Sequence, residues 1–162
     1  MTRPEFKKLF DTYFDVVRNY IYYRSGNTDL ATDIAQETFL RVWEKQLIIE
    51  DKKTKALLFK IAGDMFISSY RKQKTVLEFK LNAKPERNDQ SPEDQMQFKE
   101  LKRNYEQALA KLPEKQRIVF LMSRMDQMKY HEIADALGLS VKAVEKRMKH
   151  ALDYLKLVIR ES

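Results

Sequence analysis

The chain has 162 residues, enough for one domain or two small ones, since a compact unit needs on the order of 50 to 150 residues to bury a core. With 31 Lys and Arg against 24 Asp and Glu its formal charge is +7, which favours a polyanionic partner, and the absence of Cys excludes a disulfide framework and a thiolate metal site. Only 3 Gly and 4 Pro interrupt it, and no stretch alternates apolar and polar residues for long, so an all-α fold is expected.

The opening stretch, MTRPEFKKLFDTYF, carries charges throughout and has no apolar signal core. No window approaches the roughly 20 apolar residues of a membrane span, so a cytoplasmic protein without a membrane span is expected. Phe10, Phe14, Val17 and Ile21, at helical spacing, read as the core stripe of a first helix. In a second helix over residues 29–45, Ile34, Ala31, Val42, Ala35 and Phe39 fill one face. Trp43 and Leu40 widen its apolar arc to roughly 280°, more than packing against one side requires. Gln36 lies between those two, with Asp33, Glu37 and Glu44 beyond, a mixed apolar and acidic patch suited to another protein. The alternative is that Trp43 and Leu40 are core residues under the first helix. A third helical segment over 54–74 ends in Arg71, Lys72 and Lys74, which either track phosphates or sit favourably at a helix C-terminus.

Residues 80–95, KLNAKPERNDQSPEDQ, have the composition of a solvated linker. Basic and acidic residues number 14 and 10 over 1–75, 3 and 5 over 76–95, and 14 and 9 over 96–162, so two basic domains flank an acidic connector. Ser91, Pro92, Glu93 and Asp94 form a helix-start signature, placing the first helix of the second domain near Pro92.

Residues 131–149, HEIADALGLSVKAVEKRMK, have the form of a helix-turn-helix. Ile133, Ala134 and Leu137 make an inner face, Gly138 permits a left-handed turn and Ser140 caps the next helix. On that helix Val144, Met148, Ala151, Leu152 and Leu155 share one side. Lys142, Glu145, Lys146 and Lys149 share an opposite arc of roughly 100°, free to enter a major groove. Lys bonds guanine edges or phosphates and Glu accepts from the cytosine amino group, so the mixture suits sequence readout. Arg147, at the boundary, either clamps a phosphate or covers the core with its stem.

Upstream of the hairpin, LPEKQRIVFLMSRMDQMKYHEIADALGLS resembles the C-terminal domain of extracytoplasmic-function sigma factors, with Pro113 at the first position of the preceding helix. Lys129 departs from the family, which usually has a capping Ser or Thr there, a loss of about 1 kcal/mol. The hairpin is also similar to the output domain of LuxR-type regulators, which would bind DNA unaided, so the first half decides. There DLATDIAQETFLRVWEK resembles the sigma segment that docks on RNA polymerase, and TKALLFKIAGDMFISSYRKQK the segment that reads and melts the minus-ten element.

The resemblance implies two small helical domains: 1–75 for polymerase docking and minus-ten melting, and 96–162 for the minus-35 element, joined by 76–95. It implies polymerase contacts at Asp33, Gln36, Glu37, Leu40 and Trp43. For the minus-ten element it implies Ile48, Ile49, Lys60, Asp64, Ser68, Arg71, Lys72 and Lys74, with Ile48 and Ile49 either walling a pocket for a flipped base or tucked into a surface loop. Asp64 and Ser68 stand where the family commonly has Asn and Asp, so the resemblance implies no simple transfer of minus-ten specificity. For the minus-35 element it implies Lys142, Glu145, Lys146, Arg147 and Lys149. The partners are core RNA polymerase, promoter DNA and an anti-sigma factor; no cofactor and no metal is implied. An enzyme is disfavoured: His131 and His150 are the only histidines and both lie in the hairpin, and there is no Gly-rich phosphate loop.

Overall fold

The structure, a computed structural model, describes residues 1–47, 53–70, 79–80 and 91–161, without the side chains of 70 and 159–161. Its described residues form seven helices and no strand: α1 (Arg3–Ser25), α2 (Thr28–Glu44), α3 (Thr54–Tyr70), α4 (Pro92–Lys111), α5 (Glu114–Arg124), α6 (Tyr130–Leu137) and α7 (Val141–Glu161).

Local chemistry sets most of the boundaries. Thr2 and Glu5 close a reciprocal capping box at the start of α1, the Glu5 amide donating to Thr2 Oγ1 at 3.3 Å and the Thr2 amide to Glu5 Oε2 at 3.0 Å. Asn27 caps α2 and Ser91 caps α4 through side-chain oxygens that accept from the Leu30 and Asp94 amides. Pro113 occupies the cap position of α5 rather than its first helical position, and its carbonyl accepts from the Gln116 and Arg117 amides. The shift is one residue and leaves the helix unchanged.

In the first half α1, α2 and α3 enclose Val17, Ile21, Ala31, Ala35, Phe39, Val42, Leu58 and Phe66. Phe10 and Phe14 stack at 4.6 Å and both meet Phe39, which extends the predicted α1 stripe into an aromatic cluster. α3 has neighbours on three sides, α1, α2 and α6, so its apolar residues run round much of its circumference. At Gly63 α1 approaches so closely that an added Cβ would lie 3.2 Å from Arg24 Nη1. In the second half α4, α5, α6 and α7 enclose Leu109, Leu112, Val119, Met122, Ile133, Val144, Met148 and Leu155.

The two halves also pack on each other, α1 against α5 and α3 against α6, with polar pairs and aromatic rings at the joint. Arg117, 2% exposed, donates from Nε to the Tyr23 carbonyl at 2.7 Å, from Nη2 to the Arg24 carbonyl at 3.0 Å and from Nη1 to the Leu112 carbonyl at 2.9 Å. Two of those carbonyls end α1, where the helix leaves acceptors unsatisfied and the dipole favours a cation. Arg24 pairs with Glu114 at 2.5 Å and lies 4.7 Å from the Phe66 ring centre. Asp126 Oδ1 accepts from Asn19 Nδ2 at 3.0 Å and from the Tyr23 hydroxyl at 2.9 Å. Phe79, 4% exposed, stands 4.8 Å from the Arg117 guanidinium and meets Tyr22 edge-on, while the Lys80 amide donates to the Tyr22 hydroxyl.

Candidate functional site

The helix-turn-helix is assembled by a few short-range contacts. Gly138 has φ 67°, in the left-handed region, and nothing lies within 4 Å of where its Cβ would stand, so the demand there is conformational. The Leu139 amide returns to the Ala134 carbonyl at 2.9 Å, and the Ala143 amide donates to Ser140 Oγ at 3.1 Å. Lys129 gives α6 no side-chain cap, but Glu132 accepts from the Lys129 amide at 3.0 Å. That hydrogen bond, with help from the charges of Lys55, His131 and Lys129, holds the Glu132 carboxyl below its ordinary range.

On α7, Val144, Met148, Ala151 and Leu155 are buried, and Lys142, Glu145, Lys146 and Lys149 are exposed on the other side. Arg147 is half-buried at the boundary, a position compatible with either of its two readings. A rigid core thus presents three ammonium groups and one carboxylate in a single arc, a set able to contact both phosphates and base edges.

On α2, Asp33, Gln36, Glu37 and Leu40 are exposed, Leu40 to 45%. Trp43 is half-buried with its ring 5.1 Å from that of Phe6, and both line a groove of about 300 Å³ with Arg3 and Leu40. Trp43 therefore packs under α1 as the core reading has it while keeping one edge on the surface; Leu40 lies outside the core. On α3, Lys60, Asp64 and Ser68 are exposed on one strip. Ile67, 42% exposed on that same strip, was not singled out from the sequence, although its place three residues after Asp64 was legible. A second groove of about 380 Å³ joins the two helices: Asp33 and Glu37 from α2 face Asp64, Met65 and Ser68 from α3, with Arg41 among them. Ile48, Ile49, Arg71, Lys72 and Lys74 lie outside the described residues. Among the described residues no helix is long and apolar enough to cross a membrane, and no group of His, Asp or Glu could hold a metal ion.

Two family models match in chain order: Sigma-70 region 2 over residues 9–76 and Sigma-70, region 4 over residues 102–155. The first half, which had to decide between the sigma and LuxR-type likenesses, thus matches a sigma region. The chain is 30% identical to the ferric citrate uptake sigma factor FecI of Escherichia coli (strain K12), over 94% of this chain and 89% of that protein. It is 27% identical to the ECF RNA polymerase sigma factor SigW of Bacillus subtilis (strain 168), over 96% and 89%. Among solved structures its fold is similar to the sigma factor RpoE of Bartonella quintana, crystallised with the anti-sigma factor NepR, at TM-score 0.65 and 21% identity over 96% of this chain and 97% of that one. Matching sigma regions in order, with relatives aligned along nearly their whole length, place this chain in the extracytoplasmic-function family of RNA polymerase sigma factors.

Proposed function

We propose that this sigma factor, which binds core RNA polymerase and directs it to promoters, divides the work among three helix faces. The exposed arc of α2, with Asp33, Gln36, Glu37, Leu40 and the edge of Trp43, docks on polymerase. The α3 strip of Lys60, Asp64 and Ser68 acts on the minus-ten element together with Ile48, Ile49, Arg71, Lys72 and Lys74. The α7 arc of Lys142, Glu145, Lys146 and Lys149, with Arg147, reads the minus-35 element. Residues 1–75 and 96–162 are then the two working domains and 76–95 their connector, whose last four residues form the first turn of α4. The chain acts in the cytoplasm and carries no catalytic site of its own. By likeness to the sigma factor solved with its anti-sigma factor, an anti-sigma protein holds it inactive.

The observation that carries this reading is the α7 arc, exposed on a helix whose opposite side buries Val144, Met148, Ala151 and Leu155. Four cations neutralise roughly three or four phosphates, a salt slope near −3 and modest affinity, so the module needs polymerase to hold it on DNA. The test is DNA binding measured with and without core enzyme. The free chain should bind promoter fragments weakly and with little sequence preference, and the preference should emerge with core polymerase. Tight, sequence-specific binding by the free chain would contradict the proposal.

A further inference from the structure

We infer that Val141, the first residue of α7, reads the C5 methyl group of a thymine in promoter DNA and so sets the choice at one base pair near the one that faces Glu145. The inference rests on the assignment of α7 to the minus-35 element.

The hairpin makes little use of this side chain. Val144, three residues on, is fully buried, whereas Val141 is 41% exposed. Among the described residues of α7 the other large apolar side chain so exposed is Leu157, at the far end of the helix and about 160° round it. At about 100° per residue Val141 lies about 40° from Glu145, at the edge of the arc that carries Lys142, Lys146 and Lys149.

Local structure fixes where Val141 stands. Ser140 Oγ accepts from the Ala143 amide at 3.1 Å and the Ser140 carbonyl from the Val144 amide at 3.2 Å, so the first turn of α7 is closed at its start. A β-branched side chain has little rotamer freedom in a helix, and Val141 therefore offers a rigid apolar surface.

Chemistry names what that surface takes. Valine neither donates nor accepts a hydrogen bond, so it gains nothing from a phosphate and cannot pair with the polar edge of a base. Of the groups that base pairs present in the major groove, the thymine C5 methyl is the apolar one. In a helix-turn-helix the residues at the start of the second helix are those that reach base edges, and Val141 is at that start. The three lysines beside it supply the charge that draws the phosphates of the same duplex close. Val141 and Glu145 are about 6 Å apart along the helix axis, less than two base-pair steps of about 3.4 Å. The thymine therefore lies within two base pairs of the base that faces Glu145.

Deoxyuridine tests this, because it lacks only that methyl and keeps every hydrogen-bonding group of thymidine. The preferred upstream element is first selected from a randomised promoter library by holoenzyme made from core polymerase and the full-length chain. Each thymine of the selected element, on either strand, is then replaced singly by deoxyuridine, and holoenzyme binding to each duplex is measured. One replacement should weaken binding by the natural chain about three- to five-fold, the worth of one buried carbon. Val141→Ala should bind the thymine and deoxyuridine duplexes alike at that position, and Val141→Ile should retain the difference. The responsive thymine should lie within two base pairs of the position that Glu145→Ala relaxes.

Equal binding to every deoxyuridine duplex would overturn the assignment of Val141, as would a loss at the responsive position that Val141→Ala shows in full. Selection of an element with no A·T pair would overturn it too. Selection that yields no upstream preference at all would instead refute the placing of α7 on DNA, and the inference with it.

Discussion

Glu145 is the residue on α7 whose presence is hardest to explain by affinity, because a carboxylate is repelled by phosphates. On the proposed reading of α7 it accepts from a base, most simply a cytosine amino group. Glu145→Ala should therefore relax the choice at one position of the upstream element by about 1 to 3 kcal/mol while total binding falls little or rises. Holoenzyme binding across a library randomised in that element measures this, and an unchanged preference at every position would remove Glu145 from the reading surface. Lys146→Ala, as loss of a phosphate contact, should weaken all sequences alike and reduce the salt slope by about one unit.

At the joint between the halves, burial raises the Asp126 carboxyl above its ordinary range, against the hydrogen bonds from Tyr23 and Asn19 and the nearby charge of Lys55. Its Oδ2 is buried without a hydrogen-bond partner, so the carboxylate is incompletely compensated. A carboxyl raised in the folded state binds its proton more tightly there than in the unfolded chain. Its contribution is thus fully present below the unfolded value near 3.8 and is lost as pH rises through the raised one. Thermal unfolding of the natural chain and of Asp126→Asn should converge or cross in favour of the natural chain as pH falls from 7 toward 4. A stability difference independent of pH would mean that the carboxyl is not perturbed as described.

Among the elements, α2 offers the cleanest separation of fold from function. Gln36 and Glu37 are exposed while Ala35, Thr38 and Phe39 beside them are buried, so Gln36→Ala with Glu37→Lys should leave the fold intact and abolish capture of core polymerase. Normal capture by the folded double variant would show that α2 docks elsewhere. For the hairpin, Gly138→Ala should cost about 1 kcal/mol through the left-handed backbone alone, since no neighbour crowds the added methyl. Urea unfolding checks it, and an equally stable variant would mean that the turn does not need glycine.

The elements that were legible in the sequence share a property: their determinants are local. The caps at Ser91 and Ser140, the turn at Gly138 and the α7 stripe all lie within a few residues of what they specify. Arg117 was not legible, because a cation inside an apolar helix normally marks a solvated face and its acceptors on α1 are more than 90 residues away. Phe79 escaped for a related reason. One aromatic at the edge of a polar connector carries no period, and only the packed halves give it a place to go.

At the scale of the molecule, the net charge of +7 suits the polyanionic DNA to which a sigma factor directs polymerase. The hairpin alone fits many DNA-binding proteins; a Sigma-70 region 2 match followed in order by a region 4 match is what gives the chain its family. The measurement that bears on that role most directly is run-off transcription from a promoter library by core polymerase, with and without this protein. A defined subset of promoters should be transcribed only when the protein is added, and transcription should vanish with the α2 double variant. Transcription by core enzyme that is unchanged in amount and start site on adding the folded protein would contradict the account.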